Sequence, residues 1–217
     1  MPYNAMADFA HIIAIASVPN MLIANRELPI ASVGEFVRLA KSKPEHFSYS
    51  SGGNGTSHHL AAELFNTQAG IKTTHIPYRG TPEAVTAVIR GDAAIMFPNV
   101  PNAEQLASEG KLKALAVTSA RRLQSMPEVP TMIELGFPHF EVVGWYGMVA
   151  PAGTPEPIVK RLITEFQRIL DDAAIKETLR KNGFDVMGGS AEEFARFNRA
   201  EIEKWRKAVQ ASGARLE

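Results

Sequence analysis

Short apolar runs alternate with amphipathic segments along this chain, and each amphipathic segment opens at a recognisable cap residue. Strands that alternate with helices in this way are typical of α/β units around a mainly parallel sheet. The pattern therefore predicts the α/β fold class. Strands are predicted at residues 12–17, 21–24, 47–50, 74–77, 93–97 and 112–118, with an extended segment at 142–150.

Three Ser/Thr-x-x-Glu sequences, at residues 32–35, 131–134 and 190–193, are typical of capping boxes and mark helix starts. Gly136 is expected to stop the second of these helices, and the third is expected to end near Gly213. Further helices are predicted at 56–69, from 81 onward, at 101–109, from 154 onward and in the segment closed by Gly183.

Composition excludes several classes of function. Lys+Arg and Asp+Glu both number 23, so the formal net charge is zero, whereas a nucleic-acid-binding chain usually carries a basic surplus. Without cysteine the chain has no disulfides, thiolate metal ligands or thiol nucleophiles. The most apolar stretch, 9–24, is too short and too polar to span a bilayer, and no basic segment precedes it. We expect no nucleic-acid partner, no direct membrane insertion and no signal peptide in the chain as given.

The segment 49–60 combines the end of a predicted strand, a loop with three glycines and the start of a helix. Glycines let the backbone bend sharply, and the first amides of a helix point outward at the positive end of the helix dipole. Such a loop can hold an anion without a charged side chain. An ordinary turn with an N-cap is the alternative. The short polar side chains that could orient a carboxylate here are Ser51, Asn54, Thr56 and Ser57.

Two further polar loops follow predicted strands. At 77–82, Tyr78 can supply an apolar wall and a hydroxyl, or can simply be a partly buried side chain, and Thr81 is expected to cap the next helix. At 97–101, Asn99 could donate to a ligand or could satisfy its own turn. Open α/β sheets bind ligands at the carboxyl ends of their strands, so these loops favour a shared binding face.

The sequence offers little for catalysis or metal binding. His58 and His59 are adjacent on a predicted helix and would face different directions, so they cannot chelate one ion well. The HExxH spacing, the G-x-S-x-G elbow and the P-loop are all missing from the chain. We therefore expect no cofactor, no metal site and no enzymatic activity.

Ordered motifs along the whole chain resemble one known family, the extracytoplasmic solute receptors of tripartite tricarboxylate transporters, also called the Bug family. The resemblance depends on their order and spacing, since each motif alone is weak. The motifs are DF at 8–9 leading into ASVPN at 16–20, SSGGNGTSHHL at 50–60, HIPYRG at 75–80, MFPN at 96–99, GKLKALAVT at 110–118, PEVPT at 127–131, GWYGMVAPAGTP at 144–155 and EIEKW at 201–205.

The resemblance implies an α/β, periplasmic-binding-protein-like (type II) fold with two lobes that close by a hinge around a ligand. Residues 1–19 would be a crossover segment, 20–143 would be lobe 2, and 144–217 would be the C-terminal part of lobe 1. It also implies a small mono- or dicarboxylate ligand, membrane transporter subunits as partners and a periplasmic location. A ligand-binding role is carried onto Ser51, Asn54, Thr56, Tyr78, Gly80 and Asn99, and also onto Ser57, Arg79 and Thr81.

By this resemblance, we expect the signal peptide and the N-terminal part of lobe 1 to be missing from the chain as given. The segment 144–217 is therefore expected to expose apolar surface or to pair with another chain. Two alternatives to a transport receptor stay open. One is a ligand-sensing or regulatory domain of the same fold, and the other is a truncated fragment that does not bind ligand.

Overall fold

A computed structural model describes residues 3–212 of the chain. Its contacts divide the chain into two compact units. The first unit comprises residues 3–18 and 145–206. The second unit comprises Pro19–Gly144 together with residues 207–212.

Most strands and helices follow the order expected from the sequence. The strands are β1 Phe9–Pro19, β2 Met21–Asn25, β3 Ser48–Ser51, β4 Thr74–Pro77, β5 Ile95–Met96, β6 Leu112–Val117, β7 Val143–Pro151 and β8 Asp185–Gly188. The helices are α1 Val33–Ser42, α2 Ser57–Ala69, α3 Thr81–Arg90, α4 Glu104–Ser108, α5 Glu156–Asp171, α6 Ala173–Lys181 and α7 Ala191–Ser212.

The second unit is built on a five-stranded sheet with the order β4-β3-β5-β2-β6. Strand β3 pairs in parallel with both β4 and β5, whereas β2 runs antiparallel to β5 and β6. Four of the strands therefore point the same way, as a mainly parallel sheet requires. Because β3, β4 and β5 share a direction, their carboxyl ends meet at one edge of the sheet.

Apolar side chains cover this sheet on both faces. All five residues of β2 are buried, which is the pattern of a strand enclosed between helices. One cluster of buried side chains joins Met21, Val88 and Val117. An aromatic group from α1 and α2 includes Phe36 and Phe65, whose rings stack with centroids 6.2 Å apart. This packing fixes the position of the sheet, and with it the starting points of the loops that follow β3, β4 and β5.

The first unit contains a three-stranded sheet with the order β7-β1-β8, in which β1 and β8 are antiparallel. Buried Ile12 and Ile13 of β1 pack in one cluster with Leu170 of α5. Strand β8 was not expected from the sequence, because its four residues include one glycine and only two apolar side chains. Among the described residues of the segment 144–212, Tyr146 and Ile158 are both 51% exposed.

Three helix predictions need correction or fall outside the structure. The capping box at 131–134 forms, with reciprocal bonds of 2.7 and 3.1 Å, but only a turn follows, because Gly136 at φ 89° ends it at once. The helix expected at 101–109 is split into a 3₁₀ turn, Val100–Asn102, and the short α4. The expected end near Gly213 lies outside the described residues.

The capping box at 190–193 does open a helix, α7, with reciprocal bonds of 2.8 and 3.2 Å. Within residues 3–212, none of the helices combines the length and the apolar character needed to cross a membrane.

Candidate functional site

The glycine-rich loop connects the carboxyl end of β3 to the start of α2. Gly53 and Gly55 have φ angles of 130° and 76°, which residues with a Cβ adopt only with strain. Thr56 is the N-cap of α2, and its hydroxyl accepts from the amide of His59. The sequence therefore folds locally as predicted, with two left-handed glycines turning the chain into a capped helix.

Several amides of this loop are already hydrogen-bonded inside the protein. The Gly52 amide donates to Nδ1 of His58 at 3.3 Å, and the Gly55 amide donates to Nδ1 of His59 at 3.1 Å. The Gly53 amide donates to the Ser51 hydroxyl at 3.1 Å. These backbone groups are satisfied and do not need a ligand.

Three other amides in the same segment have no hydrogen bond among the described residues: those of Asn54, Ser57 and His58. The last two are the first and second residues of α2, where helix geometry leaves the N–H groups without intrahelical partners. The positive end of the helix dipole lies at the same place. Two of these three donors are therefore at the helix start, and the third, the amide of Asn54, lies in the glycine turn.

The hydroxyls of Ser51 and Thr56 are used internally. Ser51 has no exposed surface, and its Oγ bonds to His75 and to the backbone of Gly53. The Thr56 hydroxyl donates to the Gly53 carbonyl at 2.8 Å in addition to capping the helix. Both side chains shape the loop, and neither hydroxyl is free to orient a ligand as the sequence suggested.

The second loop lies against the first. The amide of Tyr78 donates to the Ser51 carbonyl at 2.9 Å. A Cβ placed on Gly52 would come within 3.1 Å of the Thr81 amide nitrogen and 3.2 Å of the Gly80 carbonyl carbon, so the two backbones approach as closely as they can. The starts of α2 and α3 are thereby brought side by side.

Helix α3 begins differently from the prediction. Gly80 at φ 132° is its N-cap, without a side-chain capping bond, and Thr81 is already the first helical residue. Thr81 therefore does not cap the helix, because the turn needs a glycine conformation at the cap position. The side chain of Arg79 is exposed, and its amide donates to the Glu83 carboxylate at 3.2 Å, which partly neutralises this helix start.

The third loop contributes Asn99, which is joined to the first loop through α2. Asn99 Oδ1 lies 3.2 Å from Nε2 of His58, and Asn99 Nδ2 donates to Oδ1 of Asn20 at 3.1 Å. Asn20 is fully buried, and its Nδ2 also donates to the Phe97 carbonyl at 2.6 Å and to the Ser57 hydroxyl at 3.3 Å. The structure thus links all three predicted loops in one hydrogen-bonded assembly.

Sequence reasoning missed the roles of Asn20 and of the two histidines. The signal for Asn20 was its position as a polar residue inside an otherwise apolar run, directly after Pro19. The histidines were considered only as metal ligands. Within residues 3–212 no set of three or more His, Asp or Glu side chains is placed to hold a metal ion.

A cluster of rings supports the base of the glycine loop. The rings of His59 and His75 stack with centroids 4.1 Å apart, and Tyr49 lies 4.8 Å from His75. Burial lowers the pKa of His59, partly offset by the charge of Glu63, and burial with the nearby His59 lowers the pKa of His75 to about 4. Burial likewise raises the pKa of Tyr49, whose hydroxyl donates to Glu63. The two stacked histidines are therefore neutral near pH 7.

One serine–histidine pair in this cluster has the spacing of a nucleophile and its base. Ser51 Oγ lies 2.7 Å from Nε2 of His75. A substrate cannot reach a hydroxyl without exposed surface, so this pair serves the structure of the loop. The partly exposed polar groups of the three loops are amides, carboxamides, a phenol, the hydroxyls of Ser57 and Thr81 and one guanidinium, and such groups can bind an anion.

The chain matches one family model and several curated proteins. The family model described as the tripartite tricarboxylate transporter family receptor, TctC, matches residues 1–214. A curated relative from Pseudomonas sp. strain P51, the UPF0065 protein in the tcbD-tcbE intergenic region, is 33% identical over 210 residues. That match covers 96% of this chain and 62% of the relative, so the chain spans less than two thirds of that protein's length.

Solved structures agree with the fold. The R. palustris protein Rpa4515, solved with adipate, superposes with a TM-score of 0.91 at 33% identity, covering 98% of this chain and 71% of that one. The periplasmic binding protein BugD superposes with a TM-score of 0.90 at 29% identity, covering 99% and 73%. The mixed α/β fold is therefore that of periplasmic binding proteins of the Bug type. The chain belongs to the TctC family of tripartite tricarboxylate transporter receptors.

Proposed function

We propose that the protein captures a small mono- or dicarboxylate in the periplasm and delivers it to the membrane subunits of a tripartite tricarboxylate transporter. The observation that carries the proposal is the pair of unbonded amides, of Ser57 and His58, at the start of α2. A helix start offers both hydrogen-bond donors and a positive dipole end to an anion. The relative solved with adipate supports a carboxylate as that anion.

One carboxylate group of the ligand would sit against the start of α2. Its oxygens can accept several hydrogen bonds, and the amides of Ser57 and His58 supply two donors in fixed directions. The exposed Asn54 amide adds a third donor beside them. Hydrogen bonds to a charged acceptor are the strong ones, so a site without a bound cation can still hold the anion.

The second and third loops would select the shape of the ligand. The half-buried Tyr78 and Asn99 offer a hydroxyl and a carboxamide, and neither the Tyr78 hydroxyl nor the second amide hydrogen of Asn99 has a partner among the described residues. Arg79 would attract the anion from solvent, because its guanidinium is exposed. Gly80 and Thr81 would contribute backbone at the uncapped start of α3.

The proposal contains no catalytic step. The family is one of solute receptors. The Ser51 hydroxyl, which has a base within hydrogen-bond distance, is buried. Binding without turnover is what a delivery protein requires, because its cargo must leave unchanged.

Isothermal titration calorimetry of the purified chain with adipate, shorter and longer diacids, and monoacids tests the proposal. We expect at least one free acid to bind, and its dimethyl or methyl ester to show no heat, because the ester has lost the charge that the helix start recognises. A ligand that binds only the folded chain also raises its melting temperature.

Amide chemical-shift perturbation locates the binding. We expect the largest changes at Ser57, His58 and Asn54. If none of the acids binds, or if the shifts concentrate in the first unit, the proposed function is wrong for this chain.

A further inference from the structure

A continuous line of hydrogen bonds runs beneath the proposed site from the first loop to the third. The Gly52 amide donates to Nδ1 of His58, Nε2 of His58 contacts Oδ1 of Asn99, and Nδ2 of Asn99 donates to Oδ1 of Asn20. The line ends where Nδ2 of Asn20 donates to the Phe97 carbonyl. His58 and Asn20 are 4% and 0% exposed, so each broken bond would leave a buried polar group unsatisfied.

The directions of the bonds in this line are set at both ends, since the Gly52 N–H can only donate and the Phe97 carbonyl can only accept. A backbone N–H can only donate, so Nδ1 of His58 must be the acceptor and carries no proton. A neutral imidazole then carries its proton on Nε2, which donates to Asn99 Oδ1. With its oxygen engaged by His58, the Asn99 carboxamide directs its nitrogen to Asn20 and keeps one N–H for another acceptor.

We propose that His58 is a positioning residue of the carboxylate site, whose neutral imidazole fixes Asn99 as a hydrogen-bond donor to the bound anion. This rests on the proposed function and adds the mechanism by which the third loop favours an acceptor such as a carboxylate. Without His58, only the bond to Asn20 Oδ1 would hold the Asn99 carboxamide, so its remaining N–H would no longer be held in a fixed direction towards the ligand.

Acid should break this arrangement. Protonation of His58 would place an Nδ1–H against the Gly52 N–H, so two donors would face each other 3.3 Å apart. Burial lowers the pKa of His58, partly offset by its bond with Asn99, so the ring stays neutral until the solution is acidic. The other titratable groups around this part of the loop are Glu63 and His59 on α2, Tyr49 on β3 and His75 on β4.

The tautomer can be measured on the wild-type chain without any ligand. Long-range ¹H–¹⁵N correlation spectra identify which ring nitrogen of each histidine carries the proton. We expect His58 to carry it on Nε2 alone at pH 7.5. A proton on Nδ1 would overturn the proposal whether or not the chain binds an acid, and so separates this inference from the proposed function.

Binding variants test the consequence. His58→Phe keeps a ring but can neither accept from the Gly52 amide nor donate to Asn99, and it cannot titrate. We therefore expect adipate to bind about tenfold more weakly than to wild type and with a flatter pH profile between pH 7.5 and 5. Asn99→Asp replaces the donor by an acceptor of equal size and should abolish binding. His46→Gln, at an exposed histidine in the same unit, is the matched control and should change neither quantity.

The outcomes are distinct. If wild type binds adipate and folded His58→Phe binds it equally well with an unchanged pH profile, the positioning role is wrong while the proposed function stands. If no acid binds wild type, the proposed function fails, and the NMR measurement still decides the tautomer. Circular dichroism melting of each variant separates a lost fold from a lost contact.

Discussion

Replacing Ser57 by proline should remove one backbone donor from the proposed site while leaving α2 folded. Ser57 is the first residue of α2, where the missing N–H of proline costs no helix hydrogen bond and its fixed φ suits the helix. The preceding Thr56 has φ −69° and ψ 160°, a conformation allowed before proline. The change therefore acts on the donor to the ligand and little on stability.

The expected loss follows from the kind of bond removed. A hydrogen bond to a charged group contributes about 1.5–3 kcal/mol. Its loss should weaken carboxylate binding by about 10- to 150-fold. Ser57→Ala keeps the amide and loses only the hydroxyl, which accepts one bond of 3.3 Å from Asn20. We expect this variant to bind within a few-fold of wild type.

Calorimetry with the tightest-binding acid of the panel is the assay, with melting temperature as the measure of folding. Ala173→Pro is the matched control, because Ala173 is the exposed first residue of α6, in the other unit. If Ser57→Pro keeps its melting temperature and binds as tightly as Ser57→Ala, the amide of Ser57 does not contact the ligand and the reasoning is refuted.

Three further changes test other parts of the structure. Gly147→Ala should destabilise the first unit by about 1–3 kcal/mol in urea denaturation, because a Cβ there would overlap the buried ring of Phe194. Gly153→Ala is the control and should be close to neutral, because a Cβ at Gly153 has open space around it. Gly52→Ala should weaken carboxylate binding by forcing apart the two loops that meet at this residue, and titration of the folded variant checks it. The free energy of unfolding should fall as the pH drops from about 6.5 towards 4. Burial lowers the pKa of His59 and His75, to about 4 for His75, so the unfolded chain binds more protons than the folded chain in this range. Urea denaturation at several pH values should show a slope of at most about 1.4 kcal/mol per pH unit for each histidine.

The elements that surround the site follow from local sequence signals. Strand β4 has the predicted bounds, and α2 begins one residue after the predicted start. These signals are local because apolar runs, glycines and cap residues act on their immediate neighbours. The position of the three loops at one edge also follows, since it needs only the parallel pairing of β3 with β4 and β5.

The use of each polar group could not be predicted in the same way. Ser51 and Thr56 have the chemistry of ligand-orienting hydroxyls, but their hydroxyls satisfy the loop itself, because buried polar groups need internal partners. The bond between Asn99 and Asn20 joins residues 79 positions apart. No local pattern reports such a contact, and the role of His58 between the loops is hidden for the same reason.

The three glycines of the first loop are required for two different physical reasons. Gly53 and Gly55 are glycines because their φ angles are positive. Gly52 has no such angle, and what it lacks is space, since the Thr81 amide nitrogen and Nδ1 of His58 would lie 3.1 and 3.3 Å from a Cβ. Two glycines therefore turn the chain into α2, and the third lets the start of α3 approach it. A carboxylate seated at the start of α2 would meet the second loop only because of that approach.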